Sequence, residues 1–227
     1  MITTLKNFET DIVSGEIPPD QLDNGFFFDR KMLILESNWD SESVYNKISV
    51  YPFLSNISSF TGEQVSVQVG YRNFDSIRGL KFYTQYPDGM IWNDPLCYGT
   101  SVFFISTHGN PKSLLPTLDI IRSETMFDSL TGFENYPNII LFGSCSLFEG
   151  KQGENFGYDL LGSTKSRGIF GWKSKVSLID SIVTSQIFLN RFFSLNTGNP
   201  FEQLPEVYES VLEDYKPSRD SGFSMYI

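Results

Sequence analysis

The stretch VFFISTHGNP, residues 102–111, decides the fold predicted for this chain, because in it a continuous apolar run ends in polar side chains. A second stretch of the same form, NIILFGSCS, covers residues 138–146. A short apolar run bounded by turn residues is typical of a strand buried on both faces of a parallel sheet. Each predicted strand is followed by a reactive side chain. These are His108, the only histidine of the chain, and Cys145.

Further apolar runs alternate with longer amphipathic segments along the chain, a pattern typical of strand–helix–strand units around a mostly parallel sheet. The fold class predicted from this pattern is α/β. Strands buried on both faces are predicted at Lys31–Glu36, 64–70, Val102–Ser106, 139–143 and Gly168–Trp172, and the final GFSMYI predicts a weak edge strand. Helices are predicted at residues 43–58, 74–86, 123–130, 156–161, 180–195 and 200–215.

Length and composition indicate one domain, residues 31–227, preceded by an N-terminal extension, residues 1–30. The hydrophobic content of 40% is that of a packed globular protein. The formal charge of -10 argues against DNA or RNA as a partner, because neutralising phosphates requires an excess of Lys and Arg. No segment has the pattern of a signal peptide or a bilayer span, so we expect a cytoplasmic protein without a membrane partner.

The two cysteines, Cys97 and Cys145, are expected to stay reduced in such a compartment. With a single histidine, the usual zinc-finger and zincin patterns are excluded. We therefore predict neither a metal nor another cofactor.

The two reactive side chains are predicted to meet at one edge of the sheet. If the strands ending before His108 and Cys145 are neighbours, their tips lie about one strand spacing apart, ~5 Å. A histidine can manage the proton of a nucleophilic thiol near neutral pH. Gly109 lacks a Cβ, so a substrate carbonyl can approach its main-chain N–H closely. The sequence thus predicts a His/Cys dyad with an oxyanion hole.

Each of these residues also has a simpler interpretation. A lone histidine at a strand end is often a polar residue satisfied by a neighbouring main-chain group, and a free cysteine is often a small buried hydrophobe. The GSCSL turn at Cys145 is also similar to the nucleophile elbow of α/β-hydrolases. In those enzymes the catalytic histidine follows the nucleophile, whereas no histidine follows Cys145 here.

The segments FFISTHG and IILFGSC resemble the caspase, legumain and gingipain superfamily of cysteine peptidases, clan CD, and are most similar to its prokaryotic caspase-like and CHAT-type members. The resemblance covers residues 31 to about 215. It implies a three-layer αβα sandwich and a cysteine endopeptidase acting on protein or peptide substrates. By the same resemblance Cys145 is the nucleophile, His108 is the general acid/base, and the N–H groups of Gly109 and Cys145 bind the oxyanion.

Substrate binding is predicted from the same resemblance, which implies that a peptide pairs as an added strand with the segment GIFGWKSKV. Within this segment Trp172 would wall a pocket beside Ser174. The charge of the pocket stays open, because residues 143–147 match neither the caspase nor the metacaspase pattern. Lys173 or Lys175 would attract an acidic side chain at P1, the residue before the cleaved bond. A basic P1 side chain would instead be met by Asn38, Asp40 or Asp180.

A second functional hypothesis is a caspase-like signalling or binding module. Such a module keeps the fold but is catalytically silent or is activated by a regulatory protein partner. The presence of both His108 and Cys145 favours the peptidase hypothesis over this alternative.

Overall fold

Nine strands carry the fold of the residues that the computed structural model describes, which are residues 30–37, 49–57, 66–94, 97, 99–196 and 199–227. Six of the strands form one sheet in the order β2-β1-β3-β7-β8-β9, in which β9 alone is antiparallel to its neighbour. The predicted α/β fold with a mostly parallel sheet is confirmed. The strands are β1 (Lys31–Glu36), β2 (Gln68–Asn73), β3 (Val102–Ser106), β4 (His108–Asn110), β5 (Ser113–Leu115), β6 (Ile121–Arg122), β7 (Ile139–Phe142), β8 (Gly168–Trp172) and β9 (Phe223–Tyr226).

Three of the central strands, β1, β3 and β8, have the predicted bounds, and β7 is one residue shorter than predicted. The weak signal in GFSMYI is confirmed as the edge strand β9. The strand predicted at 64–70 ends three residues before β2 does, and its predicted burial on both faces is wrong. β2 is at the opposite edge of the sheet and pairs only with β1 among the described residues, so its side chains are partly or fully exposed.

Helices follow the strands along the chain, and six of the eight in the described residues overlap a predicted helix, whereas α3 and α8 were not predicted. They are α1 (Tyr51–Leu54), α2 (Ile77–Thr84), α3 (Met90–Asn93), α4 (Ser123–Ser129), α5 (Gly150–Thr164), α6 (Leu178–Ser194), α7 (Leu204–Asp214) and α8 (Lys216–Asp220), with short 3-10 turns at Phe133–Asn135 and Pro200–Gln203. In the described part of the chain no helix is long and apolar enough to cross a membrane.

Some predictions fall outside the described residues. These are the N-terminal extension apart from Arg30, and residues 43–48 and 58 of the first predicted helix. The described remainder of that helix contains α1.

Two hydrophobic clusters cover the opposite faces of the sheet, because alternate residues of a strand point to opposite sides. On one face Ile34, Phe104 and Leu141 pack with Phe188 and Phe192 of α6. The other face is covered by a cluster that joins strand residues to α2, α4 and α5, and this cluster includes Leu35, Phe103, Phe142, Leu80, Met126 and Phe156. The central strands are thus buried on both sides, which explains their continuous apolar sequence.

A small antiparallel sheet, β4-β5-β6, follows β3 directly and was not predicted from the sequence. Its strands are only two or three residues long, too short for alternation of apolar and polar residues to be visible. The β4–β5 turn contains Lys112 with φ of 57°, in the left-handed region. This hairpin begins at His108, so the histidine lies at its base, two residues after the end of β3.

The helix α5 is much longer than the predicted 156–161, because four glycines within it weaken the helical signal. Two of them allow close packing. A Cβ on Gly153 would lie 2.7 Å from the Phe148 Cα, and one on Gly157 would lie 2.6 Å from the Tyr226 ring. Gly162, in contrast, has open space around it.

We expect Gly157→Ala to lower the free energy of unfolding by about 1 to 3 kcal/mol, because the new methyl group collides with a buried aromatic ring. Gly162→Ala is the matched control in the same helix. It should raise the stability by up to about 1 kcal/mol, since alanine is the better helix former and meets no neighbour there. Urea unfolding of both variants measures the two effects, and equal shifts would contradict the packing described.

Candidate active site

The strands that precede His108 and Cys145 are neighbours in the sheet, as predicted. β3 and β7 pair in parallel with Ile105 opposite Phe142. The Gly143 N–H continues this pairing by donating to the Ile105 carbonyl at 2.9 Å. Because parallel strands end at the same edge, the residues after β3 and those after β7 emerge side by side.

Gly109 brings the two chain segments into direct contact. A Cβ on Gly109 would collide with the Cys145 carbonyl oxygen, and would lie 2.9 Å from the Ser144 Cβ and 3.3 Å from the Cys145 amide nitrogen. Only a glycine allows this approach without a shift of the main chain. The residue beside His108 therefore packs on the residue that carries the thiol.

His108 is the exposed first residue of β4 and pairs with Leu115 of β5. The preceding residue, Thr107, is buried, and its hydroxyl donates to the Leu115 carbonyl at 2.9 Å. This hydrogen bond fixes the hairpin to the end of β3. The structure thus holds the main chain of His108 while leaving its side chain accessible.

Cys145 lies in the turn between β7 and α5, residues 143–149, which we call the nucleophile loop after the role predicted for this cysteine. Its thiol is half-buried and donates a hydrogen bond to the Val176 carbonyl at 3.3 Å. The next residue, Ser146, has φ of 54°, a left-handed conformation that is uncommon for a residue other than glycine. Its N–H donates to the Ser174 carbonyl at 3.0 Å.

The nucleophile loop is fixed from two sides. The Phe148 N–H donates to the Trp172 carbonyl at 3.0 Å, which ties the loop to the end of β8. On the other side the Lys112 N–H, from the β4–β5 turn, donates to the Leu147 carbonyl at 3.0 Å. The hairpin that begins at His108 and the segment after β8 are therefore both hydrogen-bonded to the loop that carries Cys145.

The prediction that Trp172 walls a substrate pocket is not supported by its placement. Its side chain is fully buried in the cluster on the α6 face of the sheet, where its ring centroid lies 5.1 Å from that of Phe223. Trp172 is the last residue of β8, and its side chain still points into the core.

Other predicted substrate-binding residues have partners within the chain. The Lys173 ammonium lies 3.6 Å from a Glu154 carboxylate oxygen of α5, with both side chains about half exposed. The Ser174 hydroxyl donates to the Ser221 carbonyl at 2.8 Å. Asn38 and Asp40 lie outside the described residues.

Asp180 lies in the first turn of α6 and is already hydrogen-bonded within the chain. Its carboxylate accepts hydrogen bonds from the Ser177 and Tyr215 hydroxyls, each at 2.6 Å. The bond from Ser177, and then that from Tyr215, hold the pKa of the Asp180 carboxyl below its usual range. The same bond to Asp180 raises the pKa of Tyr215 to about 12. A substrate cation at Asp180 would have to compete with these two hydroxyl groups.

Two features of the site were missed by the sequence analysis. The Val176 carbonyl receives the thiol hydrogen bond, and Ser146 adopts the left-handed conformation beside Cys145. Neither has a sequence signal, because a main-chain carbonyl is present at every residue and serine is not a residue that marks positive φ. Within the described ranges no group of three His, Cys, Asp or Glu side chains is arranged to hold a metal ion.

Comparison with known proteins gives this chain no family assignment. No protein-family model matches it, and no curated protein matches it either. The resemblance of FFISTHG and IILFGSC to the caspase and legumain superfamily thus stays a prediction.

Proposed function

We propose that this chain is a cysteine endopeptidase that hydrolyses peptide bonds through a dyad of His108 and Cys145, on a three-layer αβα sandwich of the caspase type. The layered arrangement is supported by the two hydrophobic clusters, since each face of the sheet has its own set of packed helices. The order of the parallel strands, with β3 beside β7, supports the dyad because it places both residues at one edge of the sheet.

One observation carries the proposal, namely the contact of Gly109 with the main chain of Cys145. It joins the segment bearing the only imidazole of the chain to the segment bearing a half-buried thiol. A histidine satisfied as a structural residue does not require its neighbour to lack a side chain. The glycine is needed here for the close approach of the two segments, and this approach supports a dyad because nucleophilic catalysis requires the base and the nucleophile to come from neighbouring positions.

The proposed reaction has two stages. The Cys145 sulfur forms a bond to the substrate carbonyl carbon as His108 takes the thiol proton, and the C–N bond breaks as His108 gives this proton to the leaving amine. The resulting thioester is attacked by water, whose proton passes to His108. The C–S bond then breaks, and the sulfur recovers a proton. An accessible imidazole suits both transfers, because histidine is the side chain that both takes and gives a proton in general acid/base catalysis.

Negative charge on the substrate oxygen needs main-chain donors, for which the N–H groups of Gly109 and Cys145 are proposed. Apart from the strand pairing of β4, neither of these N–H groups donates a hydrogen bond to a main-chain carbonyl of the described residues. The two residues are in direct contact, since a Cβ on Gly109 would be 3.3 Å from the Cys145 nitrogen, and this contact supports the assignment of both amides to one oxygen.

The peptide substrate is proposed to pair with the segment that follows β8. One edge of this segment is used within the chain, since the carbonyls of Trp172 and Ser174 accept N–H groups of the nucleophile loop. Lys175, which follows Ser174, is exposed and has no main-chain hydrogen bond to a described residue. Its N–H and C=O are available to an added strand.

The P1 preference of the proposed enzyme is not assigned. Lys173 pairs with Glu154, and Asp180 accepts two hydroxyl groups, so each already has an interaction that a substrate would have to replace. Lys175 is the exposed cation next to Val176. A cytoplasmic location is proposed because both cysteines are free, as in a reducing compartment.

The decisive experiment is labelling with peptidyl electrophiles that carry Asp, Asn, Lys or Arg at P1, followed by mass-spectrometric mapping of the modified residue. We expect modification of Cys145 by at least one member of the set, with prior denaturation abolishing the selectivity. Cys97→Ser is the matched control and should label as the wild type does. Labelling at Cys97 alone, or equal labelling by all four peptides at the rate of a free thiol, would contradict the proposal.

A partner-activated module is the second candidate, and one observation favours it. The Cys145 thiol donates a hydrogen bond to the Val176 carbonyl, so the sulfur is engaged by a main-chain group of the same chain. A chain that rests in this state requires a change before it reacts. A regulatory partner or the substrate itself would supply that change.

A further inference from the structure

A groove between α4 and α5 lies beside the nucleophile loop. Its volume is about 310 Å³, and Lys112 of the β4–β5 turn lines one part of it. The Lys112 N–H donates to the Leu147 carbonyl at 3.0 Å, and α5 begins directly after the loop. The groove is therefore built on both segments that carry the proposed dyad. Two larger grooves, of about 450 and 380 Å³, flank α2 and share no lining residue with the hairpin or with α5.

The lining of the groove between α4 and α5 is aromatic and acidic. Phe127 of α4 and Phe156 of α5 line it with their ring centroids 5.6 Å apart, and Phe156 is buried, so an aromatic surface lies at the bottom. The exposed carboxylates of Glu124 and Asp159 line it from opposite helices. Among the described residues that line the groove, Lys112 is the one cation, so carboxylates outnumber cations.

The polar side chains of this groove have acceptor oxygens to offer. Gln152, Asn155 and Asp159 lie on one face of α5, since they are spaced by three and four residues. Within the described ranges their side chains form no hydrogen bond or ion pair. Bonds from its own main-chain N–H, and then from the Ser123 hydroxyl, hold the pKa of the Glu124 carboxyl below its usual range. This carboxylate is therefore ionised at neutral pH.

We propose that this groove binds the side chain of an arginine in the peptide substrate, on the side of the cleaved bond that faces away from the segment after β8. A guanidinium is flat and carries five N–H donors, so it can stack on an aromatic surface while carboxylates and amide oxygens pair with its edge. An aliphatic side chain could not pair with the carboxylates, and an acidic one would be repelled by them. The inference rests on the proposed function, because it assigns the groove to the substrate of that enzyme.

The place of this arginine in the substrate follows from the two sides of the nucleophile loop. Residues before the cleaved bond are proposed to pair with the segment after β8, which is bonded to the loop at Phe148. The groove begins on the other side, where Lys112 is bonded to Leu147. Between Gln152 and Asp159 the helix rises about 10 Å, the length of about three residues of extended chain. We therefore expect the arginine within about four residues after the cleaved bond.

The test is a titration of the intact, isotope-labelled chain with N-acetylarginine amide, followed by NMR. We expect saturable shifts of the signals from α4 and α5, including the side-chain amides of Gln152 and Asn155. N-acetylcitrulline amide has nearly the same shape without the charge. It should bind about five- to thirtyfold more weakly, the worth of two exposed ion pairs and a cation–π contact.

Variants of the two carboxylates locate the binding. Glu124→Gln and Asp159→Asn should each weaken binding of the arginine compound about two- to fivefold, and the double variant should lose the preference over citrulline. Asp128→Asn is the matched control, because this exposed carboxylate of α4 does not line the groove, and it should bind as the wild type does. The NMR spectrum also shows whether each variant is folded.

Three results would overturn the arginine site. They are the absence of saturable binding, equal affinity for the arginine and citrulline compounds, and wild-type selectivity in the double variant. N-acetyllysine amide bound as tightly as the arginine compound would overturn the assignment of a guanidinium.

Turnover distinguishes this inference from the proposed function. Peptides with arginine or citrulline after the cleaved bond should differ in KM with kcat unchanged, and Asp159→Asn should reduce the difference. Arginine-selective binding in a chain that cleaves no peptide would support the groove as an arginine site and refute the peptidase. Cleavage of peptides without arginine-selective binding would do the reverse.

Discussion

Replacing Cys145 with alanine should lower peptide hydrolysis at least about a thousandfold, because the covalent step is lost with the sulfur. His108→Ala should lower it to a similar level, since no other histidine exists to carry the proton. The double variant should lose no more than either single one, as is usual for residues that act as a unit. Turnover of the best peptide found by electrophile labelling measures all three.

Cys145→Ala should leave the fold nearly unchanged. Cys145 is only half-buried and its thiol makes one weak hydrogen bond, so the free energy of unfolding should change by no more than about 1 kcal/mol. Cys97→Ser is the control and should keep full turnover. The dyad assignment is wrong if Cys145→Ala or His108→Ala retains most of the wild-type turnover.

Gly109→Ala is the second substitution with a large expected effect. The new methyl group would collide with the Cys145 carbonyl oxygen and lie 2.9 Å from the Ser144 Cβ, so β4 and the nucleophile loop must move apart. A displacement on the order of 1 Å at a catalytic group can lower turnover about a hundredfold. We expect that loss, together with about 1 to 3 kcal/mol of destabilisation from overpacking.

Loss of geometry and loss of fold are distinguished by a second measurement on Gly109→Ala. In the wild type we expect iodoacetamide to alkylate Cys145 faster than Cys97, because burial raises the pKa of the Cys97 thiol. If Gly109→Ala keeps the fold, it should keep this preference while its peptide turnover is lost. Gly162→Ala is the matched control for the change itself, because a methyl group there meets open space. Gly109→Ala with wild-type turnover would remove the observation on which the proposed function depends.

Prediction from sequence succeeded for the elements with the strongest apolar runs. β1, β3 and β8 have their predicted bounds because they are buried on both faces and so consist of continuous apolar residues. The length of α5 was underestimated because its four glycines lower the helical signal, and two of them, Gly153 and Gly157, pack against Phe148 and Tyr226. Such long-range contacts leave no periodic pattern in the sequence.

The sequence by itself determined which residues could take part in the chemistry. One imidazole and one thiol each follow a buried strand, and a glycine follows the imidazole. Adjacent strands in a parallel sheet end at a common edge, so the pairing of β3 with β7 brings the segments that carry these residues side by side.

Only the tertiary structure decided the surroundings of that pair. It buried Trp172 in the core, paired Lys173 with Glu154, and placed the Val176 carbonyl on the Cys145 thiol. The physical reason is that a side chain's burial and partners depend on elements distant along the chain, here α5, α6 and β9. Local patterns report which residues of a strand or helix are apolar, but not which distant atoms they meet.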